Sequence, residues 1–459
     1  MIPQLLELTR RRAQAGDVVA KTDETLSLTF DAGRLATSSL AIERGYNLRV
    51  VAEGRAGVAG TTGDNAEGMV EAALAAARAG APIEFLLPEP NPWPRVVTRV
   101  PRAAAATLEE LRDLGQMAHD RMAGDARRVD VAVERSVGSV RVANTAGLDA
   151  SYEVSLVGVL VEVSDDHWSP IVSAALIGAD LPLAEELERF VDGLRLRTGW
   201  SRKEVKAPRG HLPVCFLPAA ANALILPVRQ ALLGRTAVQG LSPLKDRIGE
   251  RVYDQSLTVT DDPLVDARPG SRPLDDEGVP SRALSLVREG VVRNLAYDLE
   301  TAARAGTRST GHARRTTFGK PEVACTNVMV APGPHSFETL LSLVGDGLIV
   351  EDLPGLAAGQ VAGGGFISPA VPAWRIAGGE VVGRVAGVTL AGNAHELLAR
   401  IRGIGADSSW LASRASAAAN MAWNLGSSRM GSRSGSDLVV ATRALAHWAR
   451  TGSRAAKAA

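Results

Sequence analysis

"RRVDVAVERSVGSVRVANTAGLDASYEVSLVGVLVEVSDD", residues 127–166, is the stretch on which the fold class turns. Val129, Val131 and Val133 alternate with polar neighbours, the period of a half-buried strand. Val137, Val140 and Val142 continue the run, but the period slips by one between Val137 and Val140. The turn Asn144–Asp149, "NTAGLD", uses Asn and Gly, which tolerate left-handed backbone. Long strands follow from this pattern. Upstream, residues 26–61 also alternate and are punctuated by Gly33, Gly45 and Gly54, which predicts several antiparallel strands joined by tight turns.

Helical patterns surround these strands. "MIPQLLELTRRRAQAG" reads as a short amphipathic helix and lacks the long apolar core of a secretory leader. In "DNAEGMVEAALAAARAG", Asp64 and Glu67 form a capping-box-like pair and Gly80 closes an Ala-rich helix. "PEPNPWPRVVTRVPR", residues 88–102, is an extended connection. Further helices are predicted over Leu108–Met122 and around Leu183–Leu194. "SRKEVKAPRG", Ser201–Gly210, is polar and holds Pro208, and marks a boundary. Beyond it lie short strands broken by Gly and Pro, with helical pieces near Ala219–Leu233, Leu299–Ala305, Phe337–Gly345 and Ala394–Ile404. The expected fold is α+β. It has an N-terminal α+β domain (1–100), a central strand–helix domain (101–210) and a large β-rich C-terminal domain (211–459).

Bulk properties exclude several roles. Lys+Arg and Asp+Glu both number 51 in 459 residues, so nothing drives the chain toward nucleic acid or an anionic membrane. No apolar run is long enough to span a bilayer. Cys215 and Cys325 form no Cys-x-x-Cys motif or disulfide framework, which fits a soluble protein of the cytoplasm. From Ser427 onward, Arg429, Arg433, Arg443, Arg450, Arg454 and Lys457 face only Asp437, and this basic end reads as a solvated tail.

The local chemistry is sparse. "HELLAR" at His395–Arg400 lacks the second histidine of a zincin helix, and His395 reads as an exposed helix start. Asp165–His167 reads as surface polarity. "VAGGGFISP", Val361–Pro369, allows close backbone approach or simple flexibility. The acidic, proline-rich stretch Asp261–Arg282 has no calcium-loop spacing and reads as a solvated loop. "TGHARRTTFGKPEVACTNV", Thr310–Val328, concentrates His312, Arg314, Arg315 and Cys325. Arginine forks hold carboxylates well, whereas a cysteine in an apolar strand is more often core than nucleophile.

The ordered series of motifs is more specific than any one of them. "LDDEGVPSRALSLVREGVVRNLAYDLETAARAGTRSTGHARR", "TNVMVAPG", "GLIVEDLPG" and "GGGFISPAVPAWRIAGGEVVGRVAGVTLAGNAHELLARIRGIGAD" together resemble the TldD/PmbA family, once called modulators of DNA gyrase. The resemblance covers most of the chain and is densest from Val252 to Asp407. In that family a TldD-type chain, with a His-Glu-x-x-x-His helix and a late cysteine that bind zinc, pairs with a TldE-type (PmbA) chain that lacks them. The pair is a metallopeptidase acting on extended peptides, and some pairs mature peptide antibiotics. The metal helix should fall in "NALILPVRQALLGRTAVQG", residues 222–240, which contains no histidine and no glutamate, and Pro227 interrupts it. "NLGSSRMGSRSGSDLVV" has no late cysteine.

The resemblance thus implies a TldE-like chain with no metal or cofactor of its own, zinc on a TldD-like partner, and a peptide or peptide-like substrate. It makes His312, Arg314, Arg315 and Asn327 the candidates for substrate binding, with no catalytic residue on this chain. A homodimeric peptide- or small-molecule-binding scaffold is the alternative. A self-sufficient enzyme using Cys325 or scattered histidines is a third.

Overall fold

The computed structural model describes residues 1–83, 85–125, 128–165, 168–406, 410 and 438–440, with backbone alone for 168–171 and 438–440. His167 and the basic C-terminal stretch lie outside the described residues.

Long antiparallel strands organise the N-terminal half. They are β1 (Ala15–Asp31), β2 (Arg34–Ala52), β3 (Arg55–Thr61), β4 (Arg128–Asn144), β5 (Asp149–Asp165) and β6 (Trp168–Gly178). They form one sheet in the order β3-β2-β1-β4-β5-β6. Residues 1–100 and 101–210, expected as separate domains, therefore share a sheet, because β1 pairs with β4. Two of its hairpins turn on Ala32-Gly33 and Glu53-Gly54, all four residues with positive φ. Such two-residue turns match the right-handed twist of the strands they join. Gly45 is no turn. It sits inside β2, and a Cβ there would lie 2.2 Å from the Thr317 hydroxyl. Glycine at this position lets a distant loop lie against the sheet.

The slip in the valine pattern has a simple origin. The pairing of β4 with β5 runs through it without a bulge. Val129, Val131 and Val133 point to one face, where they join Leu28 and Phe30 of β1 in a core with Leu111, Ala118 and Met122. Val142 points to the other face and packs with Val19, Leu148, Ala150 and Leu274. The strand is buried on one side at its start and on both sides at its end, where Val142 faces the lobe and Ala143 the α1–α2 layer, so strict alternation lapses.

The helices cover one face of the sheet at two places. The helices α1 (Ile2–Arg12) and α2 (Ala66–Arg78) pack on Val18, Leu48 and Val50. The short helix α3 (Pro101–Ala104) and the longer α4 (Leu108–Met122) and α5 (Ala184–Ser201) cover the opposite end. The side chain of Asn65 caps α2, one residue after the expected Asp64, which pairs instead with Arg44. Thr107 and Glu110 form a reciprocal capping box at the start of α4.

The C-terminal lobe is built on a second six-stranded sheet. Its central strands are β7 (Val214–Phe216), β8 (Gly347–Val350) and β9 (Ala373–Ala377). Alternation assigns its layers. Val214, Phe216, Leu348 and Val350 face helix α6 (Pro218–Ala231), whereas Cys215, Ile349, Trp374 and Ile376 face α5. Trp200 of α5 meets Trp374 edge-on at 5.4 Å between ring centroids. Ser201–Gly210 is no free linker, since Val205 N–H donates to the Arg384 carbonyl at 2.8 Å. The predicted helix Ala394–Ile404 stops at Leu398, and Ile401–Ile404 is a strand.

Close backbone packing seats α2 on the β2–β3 hairpin. A Cβ at Gly57 would lie 2.0 Å from the Ala73 carbonyl oxygen and 2.3 Å from the Ala77 nitrogen. Gly57→Ala is expected to destabilise the chain by about 1–3 kcal/mol, because the helix must shift to admit one methyl. Urea unfolding against the parent chain measures this, and an unchanged midpoint would show that the helix seat is soft.

Candidate functional site

The acidic stretch 261–282 is not a solvated loop. Asp261, Asp275, Asp276 and Glu277 are all buried, Asp261 against His312 and Thr326 within the lobe, and Asp276 and Glu277 against Lys21 and Arg49 of the sheet. Burying charge is costly unless each group has partners, and here each has several. One Asp275 oxygen accepts from the N–H groups of Glu277 and Val279, both at 2.9 Å, and the other accepts from Ala313 N–H at 2.9 Å. Asp276 accepts from Lys21 Nζ at 2.6 Å and Arg315 N–H at 2.7 Å. Glu277 accepts from Arg49 Nη1 at 2.6 Å and Leu299 N–H at 2.8 Å.

Residues of β1 and β2 receive this loop and the one that follows it. Arg49 of β2 forks onto Asp17 of β1, with Nε at 2.9 Å and Nη2 at 3.0 Å from the two carboxylate oxygens. Arg315 Nη2 also donates to Asp17. Asn47 Nδ2 reaches the carbonyls of Thr316 at 2.9 Å and Gly319 at 2.8 Å. β1 and β2 thus hold the 310–319 segment by charge and by hydrogen bonds, and Gly45 provides the space.

The four residues proposed for substrate separate into two groups. His312, Arg315 and Asn327 are buried, and Arg314 is exposed. The His312 Nε2 meets the Asp261 carboxylate at 2.9 Å and Nδ1 meets the Thr310 carbonyl at 3.0 Å. Asn327 accepts from Gly270 N–H at 2.9 Å and donates to Ser271 Oγ at 3.0 Å and the Asp262 carbonyl at 3.1 Å. These three side chains tie loops of the lobe to each other or to the sheet. Arg314 and Arg315 lie next to each other in extended backbone, so their side chains point to opposite sides. Of the four, Arg314 alone presents its side chain to solvent.

Other sequence candidates also find structural partners. Cys325 lies between the short strands Glu322–Val323 and Val328–Val330, not within a continuous strand. Burial pushes its thiol up to about 12, with Asp261 adding to the rise and Arg229 and Arg272 opposing it. Both nitrogens of His312 have other partners, so no imidazole there can activate this thiol. His395 is half-buried rather than exposed. Its Nδ1 pairs with the Tyr253 hydroxyl at 2.8 Å and its Nε2 with the Ala362 carbonyl at 2.9 Å. Of the glycine run, Gly364 is the one that requires glycine: its φ is +76°, and a Cβ would lie 2.5 Å from the His395 ring.

Helix α6 occupies the place where the resemblance puts a metal helix. Its buried side is Ala220, Leu224, Ile225, Pro227, Val228 and Ala231. Arg229 extends from it to hydrogen-bond the Cys325 sulfur. No imidazole, thiolate or carboxylate projects from this helix, and Arg229 adds a positive charge, so these residues do not fit a zinc ion. The position expected for a late cysteine lies outside the described residues except for Leu438–Val440.

The charge network makes two measurable demands. Arg315→Ala removes one partner of a buried carboxylate and is expected to cost about 3–5 kcal/mol in urea unfolding. Arg314→Ala is expected to leave the unfolding midpoint unchanged, and equal losses from both variants would contradict the inward placement of Arg315.

The second demand is on pH. Burial alone would raise Asp17, but Arg315 and Arg49 overcome it and hold its carboxyl below the ordinary range. Burial raises Asp276 too, and Lys21 and Arg272 overcome it. Glu277 goes the other way. Burial, aided by Asp275 and Asp298 against Arg49, raises it from an ordinary 4.5 to about 7. A lowered carboxyl stabilises the fold above its unfolded value and loses that effect as pH falls. A raised carboxyl stabilises below its unfolded value and loses that effect as pH rises. The Glu277 contribution is thus expected to decline between pH 4.5 and about 7. Glu277→Gln should remove that slope from a stability–pH profile, and an unaltered slope would assign it to another group.

Comparison with known proteins agrees with this architecture. Residues 209–440 match the family model described as the PmbA/TldA metallopeptidase C-terminal domain, and residues 16–79 match domain 1 of the same family. A metalloprotease of Methanothermobacter thermautotrophicus is 27% identical over 423 residues, covering 86% of this chain and 89% of that protein. A metalloprotease TldD homologue of Haemophilus influenzae is 32% identical over 202 residues, covering 43% of this chain and 41% of that protein. The crystal structure of TldE from Thermococcus kodakarensis superposes with a TM-score of 0.78 at 23% identity, covering 89% of this chain and 95% of that one. With a family model spanning the whole lobe that carries α6 and the acidic loop, and a second on the strands that receive it, this chain belongs to the PmbA/TldD metallopeptidase family.

Proposed function

We propose that this chain is the noncatalytic, TldE-like subunit of a two-chain TldD/TldE metallopeptidase, and that it helps form the cavity for an extended peptide or peptide-like substrate. One observation carries the reading. Helix α6 presents only apolar side chains, Asn222, Arg229 and Gln230, where a catalytic member of the family would need metal ligands. The fold likeness to a TldE chain supports it. Zinc, and the water that it activates, is assigned to a TldD-like partner. This chain's own contribution is shape and polar grip. Arg314, exposed beside the pinned 315–319 loop, is the residue assigned to a substrate carboxylate or carbonyl. The proposed setting is the cytoplasm, which suits two cysteines that are not bridged. Maturation of a peptide antibiotic is one use of such a pair.

Native mass spectrometry of this chain, alone and then with the TldD-like protein of its source, tests the proposal. The expected result is no metal on the chain alone. With the partner, an assembly with equal numbers of the two chains and one zinc per pair is expected, and Arg314→Ala in that assembly should slow peptide turnover. Zinc on the isolated chain would overturn the reading. Failure to pair, with peptide still captured, would favour a binding scaffold.

A further inference from the structure

The backbone of residues 316–319 is held more tightly than its exposed side chains require. Buried Asn47 donates through Nδ2 to the Thr316, Thr317 and Gly319 carbonyls at 2.9, 3.2 and 2.8 Å. Three glycines permit close approach. A Cβ at Gly45 would lie 2.2 Å from the Thr317 hydroxyl, and one at Gly319 would lie 2.4 Å from the Thr316 hydroxyl. At Gly60 it would lie 2.0 Å from the Thr317 carbonyl oxygen and 2.9 Å from the Phe318 Cα. The segment is the tip of a hairpin, since Ala313 pairs with Val323 and Arg314 with Glu322.

Burial alternates along this hairpin. Ala313, Arg315 and Val323 are buried, whereas Arg314, Thr316, Phe318, Lys320 and Glu322 are exposed. The outward set is one aromatic ring flanked in sequence by two cations, with an acid opposite the first of them. Phe318 is 70% exposed. Among the described residues, no salt bridge reaches Arg314 or Lys320. A single exposed apolar side chain needs no explanation by itself. A backbone fixed by a buried asparagine and three glycines to present one does, because ordering each loop residue costs conformational entropy. A ring on a fixed backbone loses little freedom on binding, so rigid aromatic side chains serve as anchors.

We infer that this hairpin tip is a docking point for an extended peptide, in which Phe318 packs against an apolar side chain and Lys320, with Arg314, holds a carboxylate beside it. The inference rests on the reading that this subunit contacts a peptide, and it names the class: an apolar residue followed two positions on by an acidic one. Two observations point to that class. Charge complementarity calls for an acid, because two cations stand against the single carboxylate of Glu322. Phe318 and Lys320 are two apart on the exposed side, and an extended peptide likewise sets residues i and i+2 on one face, about 6–7 Å apart. A lipid surface fits less well, since one ring and two cations supply little of the apolar area and basic charge that interfacial binding draws on.

Fluorescence anisotropy on the full chain alone tests this, with a fluorescein-labelled Gly-Ser-Leu-Ser-Asp-Ser-Gly peptide as the probe. Two control peptides carry Ser for Leu or Asn for Asp. The parent should bind the first peptide more tightly than either control. Phe318→Ala should weaken that binding about tenfold, the range of an interface anchor, and leave the Ser-for-Leu control unchanged. Phe318→Leu should restore part of the loss. Lys320→Ala should narrow the difference between the Asp and Asn peptides. Both positions are exposed, so thermal melts of the variants should match the parent. Equal affinity of the parent for all three peptides, no binding at millimolar peptide, or a Phe318→Ala variant that binds as the parent does would each overturn the inference. So would Phe318-dependent binding to phosphatidylglycerol vesicles without an effect on peptide, which would assign the ring to a lipid surface. The measurement needs no second chain, so a failure to pair with a TldD-like protein is read separately from a failure here.

Discussion

A buried set of charges holds this protein together. Asp17 and Arg49 on neighbouring strands meet Arg315 and Glu277 from loops of the other lobe. Asp17 and Arg315 are 298 residues apart in the chain. None of the four is stable in the interior without the others, since a buried charge that loses its partner is strongly destabilising. The lobe and the sheet therefore dock in one arrangement. An apolar interface of the same area tolerates sliding more readily than forked hydrogen bonds do. Lys21 on Asp276 and Asn47 on the 316–319 carbonyls extend the same contact along β1 and β2.

That docking explains the burial pattern of the long strands. β1, β2 and β4 lie under helices on one face, and where they dock the C-terminal lobe their other face is buried too. Their apolar residues switch faces accordingly, as Val133 and Val142 show. The second sheet uses the same device on a smaller scale. Cys215, between Val214 and Phe216, belongs to the α5 layer while its neighbours belong to the α6 layer. Cys215 is thus a small apolar side chain of the core, its thiol pushed by burial up to about 12.

The functional reading rests on what α6 carries and on what surrounds it. Its polar arginine points at a buried thiol, and its far side is covered by the glycine run and His395. Gly364 approaches the His395 ring too closely for any side chain, and Tyr253 and Ala362 fix that ring. These contacts hold the glycine run and the His395 ring in one arrangement.

Much of this was legible in the sequence wherever the cause is local. Helix Leu108–Met122 follows from a capping box and an apolar period within its own span, and the hairpins at Gly33 and Gly54 follow from turn chemistry within two residues. The family followed from the order of its motifs along the chain. Only the tertiary structure decided which charges are buried. Asp275, Asp276 and Glu277 look like a solvated loop because, apart from Arg272 and the loop's own backbone, their partners lie far along the chain. Their partners are Lys21, Arg49 and the backbone of residues 313–315. Arg314 and Arg315 are chemically identical, and one residue of strand parity sends the first to solvent and the second to Asp17. Gly45 carries the same lesson, since its reason is Thr317, which lies far along the chain. Local preferences act between neighbours and can be read from neighbours. The pairing of distant charges depends on the register of docked surfaces, which no short window of sequence contains.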